Sequence, residues 1–352
     1  MQKIHFSAVT ALLSFLFCLG CASAPAVHEL SGEAWGTTYS IKIVASDDDF
    51  DADKVSGALK NTLREVDESL SNWNPDSEIS RFNQHASVTP FAISAIMNAV
   101  IGAAGEEHEK REGKFDLTLG PIIELWGFGA GTAQNEDQAD PPSDAEIEAA
   151  MTNVGQSSFL IHRPAKSEIS LKNPDVTIFL SALAKGAGID EIAKTLGELG
   201  YDNYLIEVGG DLIAIGSGPA GQGWRIAVEQ PRRGVRVAGE TLTLQGQAMA
   251  TSGDYRNYFE KDGVRYSHII DPRSGRPISH GTASVTVLSD KAVFADAWAT
   301  ALLAAGVERG LRIADREGIA ALFISRSDNK GPKAFMITKS SAFERLMAKS
   351  LD

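Results

Sequence analysis

Between Val55 and Leu70 apolar residues fall at Val55, Leu59, Leu63, Val66 and Leu70. That three-to-four-residue rhythm predicts one amphipathic helix. Before it, Thr37–Val44 (TTYSIKIV) alternates as a strand does, and after it Ser71–Asn83 is a polar loop. A second helix is expected over Phe91–Arg111, then a strand-like entry at Phe115, a Gly-Pro break and an apolar turn near Trp126. The stretch 129–142 is a linker rich in Gly, Asp and Pro. Ser143 with Glu146 three residues on has the form of a capping box. Short strands follow at Phe159–His162, Glu168–Leu171 and Thr177–Leu180, and Ser181 opens a helix to about Leu199. Strands at Tyr204–Ile215, Trp224–Glu229 and Thr241–Ala250 precede a hairpin, because Asp262-Gly263 sits between two aromatic, β-prone runs. Ser284–Leu288, helices from Lys291 through Ala305 and on to Glu317, and a strand at Ala320–Ser325 complete the pattern. Helices and strands mix without a βαβ rhythm, so the fold class expected is α+β, with mixed, largely antiparallel sheets and flanking helices.

The N-terminus follows another rule. One Lys precedes an apolar run too short to span a bilayer comfortably, which predicts a signal peptide over residues 1–20. Leu19-Gly20-Cys21 has the form of a lipoprotein cleavage box, making Cys21 the lipidated first residue; the alternative is an ordinary secretory signal cut after Ala22 or Ala24. Residues 21–32 then act as a tether and 33–352 as the functional domain. Of the two cysteines, cleavage leaves one, so no internal disulfide is expected. Losing Lys3 takes the formal charge from −13 to −14, which argues against nucleic acid as a partner. An acidic protein must gather local positive charge, or a metal, to bind an anion.

Three constellations could carry chemistry. Asp296 and Thr300 lie at i and i+4 on a helix and could offer hard oxygen ligands to Mg²⁺; equally, they could be a dipole-stabilised Asp and a Thr bonded to its own turn. Lys185, with Gly186 and Gly188 early in a helix, suits either a pyrophosphate cradle or close helix packing. The hairpin brings Ser252, Asp254, His268 and Asp271 towards one end of a sheet. His268 beside Asp271 could act as a general base, or be a strand histidine bonded to backbone. Trp35, Trp73, Leu119-Gly120-Pro121 and Trp126 supply flat apolar surface for a ring system, or simply core. The run Gly216–Gly221 spells a dinucleotide fingerprint, but Pro219 and the strand at Trp224 forbid the helix it needs, so it is expected to be a hairpin loop.

Four segments together resemble the ApbE family of FAD:protein FMN transferases: Gly36-Thr37-Thr38-Tyr39, FDLTLGPIIELWGF from Phe115, LSALAKGAG from Leu180 paired with ADAWATAL from Ala295, and ATSGDYRNYFEKDGVRYSHIIDPRSGRP from Ala250. They span nearly the whole mature chain. The resemblance implies an ApbE-like (T-fold-like) fold with an FAD cleft between two lobes, and Mg²⁺-dependent transfer of FMN from FAD to a Ser or Thr hydroxyl, releasing AMP. It implies Mg²⁺ held by Asp296, Thr300 and the Ala182 carbonyl, and FAD contacts at Trp35, Trp73, Leu119, Gly120, Pro121, Lys185 and Ile270. It makes His268 the catalytic acid or base. The acceptor implied is a membrane respiratory subunit of the Na⁺-pumping quinone reductase or Rnf type. A lipid anchor on the periplasmic side of a bacterial inner membrane, with the outer membrane open, fits such a partner. Two positions depart from the family pattern: Phe179 stands where an Asp is usual, and Trp35 where Met is common. An FAD pyrophosphatase and a non-catalytic FAD-binding lipoprotein are the alternatives.

Overall fold

In the computed structural model, residues 25–85, 88–106, 108, 110–129, 140–229, 231, 238–327 and 335–349 are described. Cys21 and the expected signal peptide lie outside them, as does most of the 129–142 linker.

The chain opens with β1 (Ala26–Ala34) and β2 (Thr37–Ala45), then α1 (Ala52–Leu70) and α2 (Glu78–Gln84). Next come β3 (Phe91–Ala92), α3 (Ala95–Glu106), α4 (Gly120–Leu125), α5 (Asp144–Met151) and α6 (Gln156–Phe159). The middle holds β4 (Leu160–Arg163), β5 (Glu168–Leu171), α7 (Ser181–Glu198), β6 (Tyr204–Val208), β7 (Asp211–Ile215), β8 (Trp224–Glu229), β9 (Ala238–Leu244) and β10 (Gln247–Gly253). The hairpin is β11 (Tyr258–Lys261) and β12 (Val264–Ser267), followed by β13 (Ile270–Asp271) and β14 (Arg276–Pro277). The chain ends with β15 (Thr282–Ser289), α8 (Ala292–Glu317), β16 (Ala320–Arg326), β17 (Phe335–Lys339) and α9 (Ser341–Lys349).

Eight strands form one antiparallel sheet in the order β1-β2-β6-β7-β10-β15-β16-β17. One face packs on α1, α7 and α8 through Ile41, Ile43, Ile206, Val285 and Val287 against Leu59, Ile192, Trp298 and Leu302. The other face carries the two-stranded β8–β9 ribbon and α9, closed by Trp224, Leu242, Leu322 and Phe343. β15, buried at every residue but its last, lies between these layers. The α+β class expected from sequence is what forms.

Several local expectations change: Thr177–Leu180 forms no strand, Tyr204–Ile215 divides into β6 and β7, and Phe91 begins β3, with α3 starting only at Ala95. Residues 26–32, assigned to the tether, are the edge strand β1, paired with β2 from Ala26–Ala45 to Ala34–Thr37; backbone pairing along an existing strand needs little apolar side-chain surface. The polar loop contains α2, capped by Ser77 accepting from the Ser80 N–H. The Gly-Pro break at Gly120-Pro121 starts α4, since proline fits the first helical turn, where no N–H is needed. The Gly216–Gly221 run is a loop, but it links β7 of the main sheet to β8 of the ribbon and closes no hairpin. The Ser143–Glu146 capping box forms.

Candidate active site

The site begins where α7 crosses α8. A Cβ on Gly186 would lie 2.4 Å from the Ala292 carbonyl oxygen, so glycine there lets the two backbones touch. Asp190 of α7 accepts from the Ala292 and Val293 N–H groups at 2.8 and 3.0 Å, tying down the first turn of α8. This crossing places Asp296, one turn into α8, against Lys185. The Lys185 ammonium lies 3.3 Å from both Asp296 oxygens and 2.6 Å from Asp211 Oδ2. Gly186 N–H also donates to Asp296 Oδ2 at 3.1 Å.

Burial raises the Asp296 carboxyl to about 7, against the opposing pull of Lys185, so it stands ready to gain from a further cation. Burial works against the Lys185 charge too, yet the carboxylates of Asp211 and Asp296 overcome it and raise its affinity for the proton. Thr300, one turn beyond Asp296, lies 3.0 Å from the Ser252 hydroxyl on β10. Asp296 and Thr300 both lie on α8 and line the same cleft.

A cleft of about 770 Å³ opens over this group. Ala182, Lys185, Asp296, Thr300, His268 and Ile270 all line it. The volume lies within the range of cofactor pockets. His268 Nδ1 is 2.8 Å from the Asn257 carbonyl oxygen, which makes Nδ1 the protonated nitrogen and leaves Nε2 as the acceptor. Burial lowers the imidazole's affinity for a proton below the ordinary value, so it is a neutral base near pH 7.

Of the two readings of His268, pairing with Asp271 does not form, and the bond to backbone, at the Asn257 carbonyl, does. Asp271 is held by Lys114 at 2.6 Å, and Asp254 is gripped by both terminal nitrogens of Arg326 at 2.7 Å. Sequence adjacency misleads here because β13 turns Asp271 towards Lys114, which arrives from a segment 157 residues earlier.

The apolar side is divided. Trp35, Trp73, Leu119 and Phe179 line the cleft, whereas Gly120, Pro121 and Trp126 do not. Gly120 packs on Thr177, Pro121 begins α4, and the Trp126 indole donates to the Gly275 carbonyl at 2.8 Å inside a small core. Phe179 meets Trp73 edge-on with ring centroids 5.4 Å apart, and the two rings form an aromatic shelf. Trp35 is wedged on α7: a Cβ on Gly188 would meet its ring at 2.1 Å. Gly186 and Gly188 thus serve packing.

Sequence reasoning passed over Asp211, Lys114, Arg256 and Asn257. Lys114 and Arg256 line the cleft with Lys185, among the carboxylates of Asp67, Asp116 and Asp296. The signal for Asp211 was Gly209-Gly210, both at positive φ (+59° and +95°), a sharp turn that needs glycine and drives the next residue into the sheet. Asn72 and Asn83 brace the 178–180 segment beside the cleft; Asn83 bonds both the N–H and the carbonyl of Ile178.

Against known proteins, the ApbE family model matches residues 35–323. An FAD:protein FMN transferase of Vibrio cholerae serotype O1 is 39% identical over 342 residues, covering 97% of this chain and 99% of its own. One of Haemophilus influenzae is 37% identical over 351 residues, 98% of this chain and 99% of the relative. Among solved structures, the flavin transferase ApbE from Vibrio cholerae superposes with a TM-score of 0.81 at 38% identity, over 91% of this chain and 99% of that one. The flavinyl transferase ApbE of Pseudomonas stutzeri, in its apo form, gives 0.81 at 36% identity over 92% and 97%. A match of this extent, on a fold that brings Lys185, Asp296 and His268 around one cleft, settles the family: the chain belongs to the ApbE family.

Proposed function

We propose that this protein transfers FMN from FAD to a Ser or Thr hydroxyl of an acceptor protein, with Mg²⁺ as the metal. The observation that carries this reading is that His268 and the Lys185–Asp296 pair line a single cleft together with the Trp73–Phe179 aromatic pair. FMN transfer from FAD to a protein is the activity named for relatives 37–39% identical over nearly the full chain.

The donor set suits a hard cation. Among the described residues no group of three or more His, Cys, Asp or Glu could hold a metal, so a soft or multi-carboxylate site is absent there. Beside Lys185 the cleft lining includes the buried Asp296 carboxylate, the Thr300 hydroxyl and the helix backbone at Ala182. Mg²⁺ in such a site would neutralise the pyrophosphate and stabilise the leaving AMP.

The chain's own groups do the rest. Trp35, Trp73, Leu119 and Ile270 hold the flavin nucleotide by its apolar faces. Lys185 supplies a fixed positive charge towards the phosphate that is transferred. His268, oriented by Asn257, accepts the acceptor hydroxyl's proton at Nε2 as the oxygen bonds to phosphorus and the pyrophosphate bond breaks. Phe179 offers no carboxylate to the nucleotide, so binding there relies on stacking.

The acceptor proposed is a membrane respiratory subunit of the Na⁺-pumping quinone reductase or Rnf type. A lipid at Cys21 on the periplasmic side of the inner membrane would hold enzyme and acceptor on one surface. Intact-mass spectrometry of a candidate acceptor after incubation with the protein, FAD and Mg²⁺ tests the reading. An FMN adduct that EDTA prevents is expected, and that an Asp296→Ala variant does not form. Free FMN and AMP without adduct would favour the pyrophosphatase, and intact FAD throughout would leave a binding protein.

A further inference from the structure

Lys185 stands between two buried carboxylates, and the two contacts are unequal: 2.6 Å to Asp211, 3.3 Å to each oxygen of Asp296. Asp211 is itself fixed. It is 1% exposed, its Oδ1 accepts from the Thr251 N–H at 2.9 Å, and the Gly209-Gly210 turn that precedes it is held by Glu207 accepting from the Gly210 N–H. Asp296, by contrast, opens onto the cleft beside Thr300. We propose that Asp211 is a positioning residue: it draws the Lys185 ammonium aside, so that Asp296 keeps its oxygens for a divalent cation while Lys185 stays aimed at the cleft.

The physical reason lies in the mobility of lysine. An ammonium on a flexible stem goes to the strongest nearby anion. Without the Asp211 charge, a buried Lys185 would be left with Asp296 alone, and a tight pair there would exclude a competing cation. With Asp211 present, the Lys185–Asp211 pair is neutral overall, and Asp296 contributes the net negative charge that a cation needs. This role rests on the metal reading given above.

Binding of Mn²⁺ as a Mg²⁺ probe, followed by the loss of its free-ion electron paramagnetic resonance signal without FAD, separates the outcomes. The proteins to compare are wild type, Asp211→Asn, Lys185→Met and the double variant, each checked by thermal unfolding. Asp211→Asn should weaken Mn²⁺ binding at least about tenfold, because Lys185 then occupies Asp296. The double variant should return to within about threefold of wild type, since the competing charge is gone. It also leaves no unpaired member of the Lys185–Asp211 pair, so it should fold even if Asp211→Asn does not. A purely structural Asp211 would leave the double variant as weak as the single one, and that result overturns the proposal, as does unchanged binding in Asp211→Asn. Absence of Mn²⁺ binding in wild type would instead remove the metal reading and this role with it.

Discussion

Gly188→Ala sets two well-measured effects against each other, and the structure decides the sign. Helix propensity alone says the change should stabilise α7, since glycine in a helix interior costs about 1 kcal/mol relative to alanine. Gly188, however, is buried, and a Cβ there would sit 2.1, 2.5 and 3.0 Å from three atoms of the Trp35 ring. No carbon tolerates that approach, so the indole must move. It cannot move freely, because its Nε1–H donates to the Leu63 carbonyl at 3.1 Å and Trp35 itself sits at φ 53°, where a bulky residue is strained. Losing that hydrogen bond costs about 1 kcal/mol, and the overpacking about 1–3 kcal/mol more. Net destabilisation of about 1–3 kcal/mol is therefore expected, by urea unfolding followed through tryptophan emission. Because Trp35 lines the cleft, KM for FAD should rise as well, with kcat less affected. A variant more stable than wild type by about 1 kcal/mol, with an unchanged KM, would show that the Trp35 contact is dispensable and refute the packing argument.

Three further outcomes follow from the same geometry. With the His268 proton affinity lowered by burial, kcat/KM at saturating Mg²⁺, which keeps Asp296 ionised, should stay flat from pH 8 to about 6.5 and fall only below the ordinary imidazole range; for His268, stability carries the same sign, since the unfolded state binds the proton more readily and the contribution present above about pH 6.5 is lost as pH falls. An acidic limb centred above pH 7 would exclude His268 as the base. Asp271→Ala strands a Lys114 that is 8% exposed and should cost about 3 kcal/mol in denaturant unfolding, with His268's titration unmoved because the two residues do not pair; a shifted pH profile would contradict the geometry. Trp73→Ala removes a side chain that is 56% exposed, so the melting temperature should hold while KM for FAD rises about tenfold; a lowered melting temperature with unchanged KM would make it a core residue.

Periodicity made the frame legible. The helical rhythm at Val55–Leu70, the Asp262-Gly263 turn and the Ser143–Glu146 box are local rules, obeyed by neighbouring residues whatever the rest of the chain does. Residue type likewise showed which groups were capable of chemistry: a Lys, an Asp–Thr helix pair and a His near one hairpin. Sequence could not choose partners. It set Asp271 beside His268 because they are three residues apart, yet charge and strand direction gave Asp271 to Lys114 and left His268 to the Asn257 carbonyl. It left Gly186 and Gly188 open between a phosphate cradle and close packing, and helix crossing and an indole ring claim them. It passed over Asp211, whose role exists because β7 and α7 meet at Lys185 in space, 26 residues apart in sequence. Local propensity is written in short windows of sequence, while pairing between distant charged groups is decided by whichever partners the packed core brings within reach.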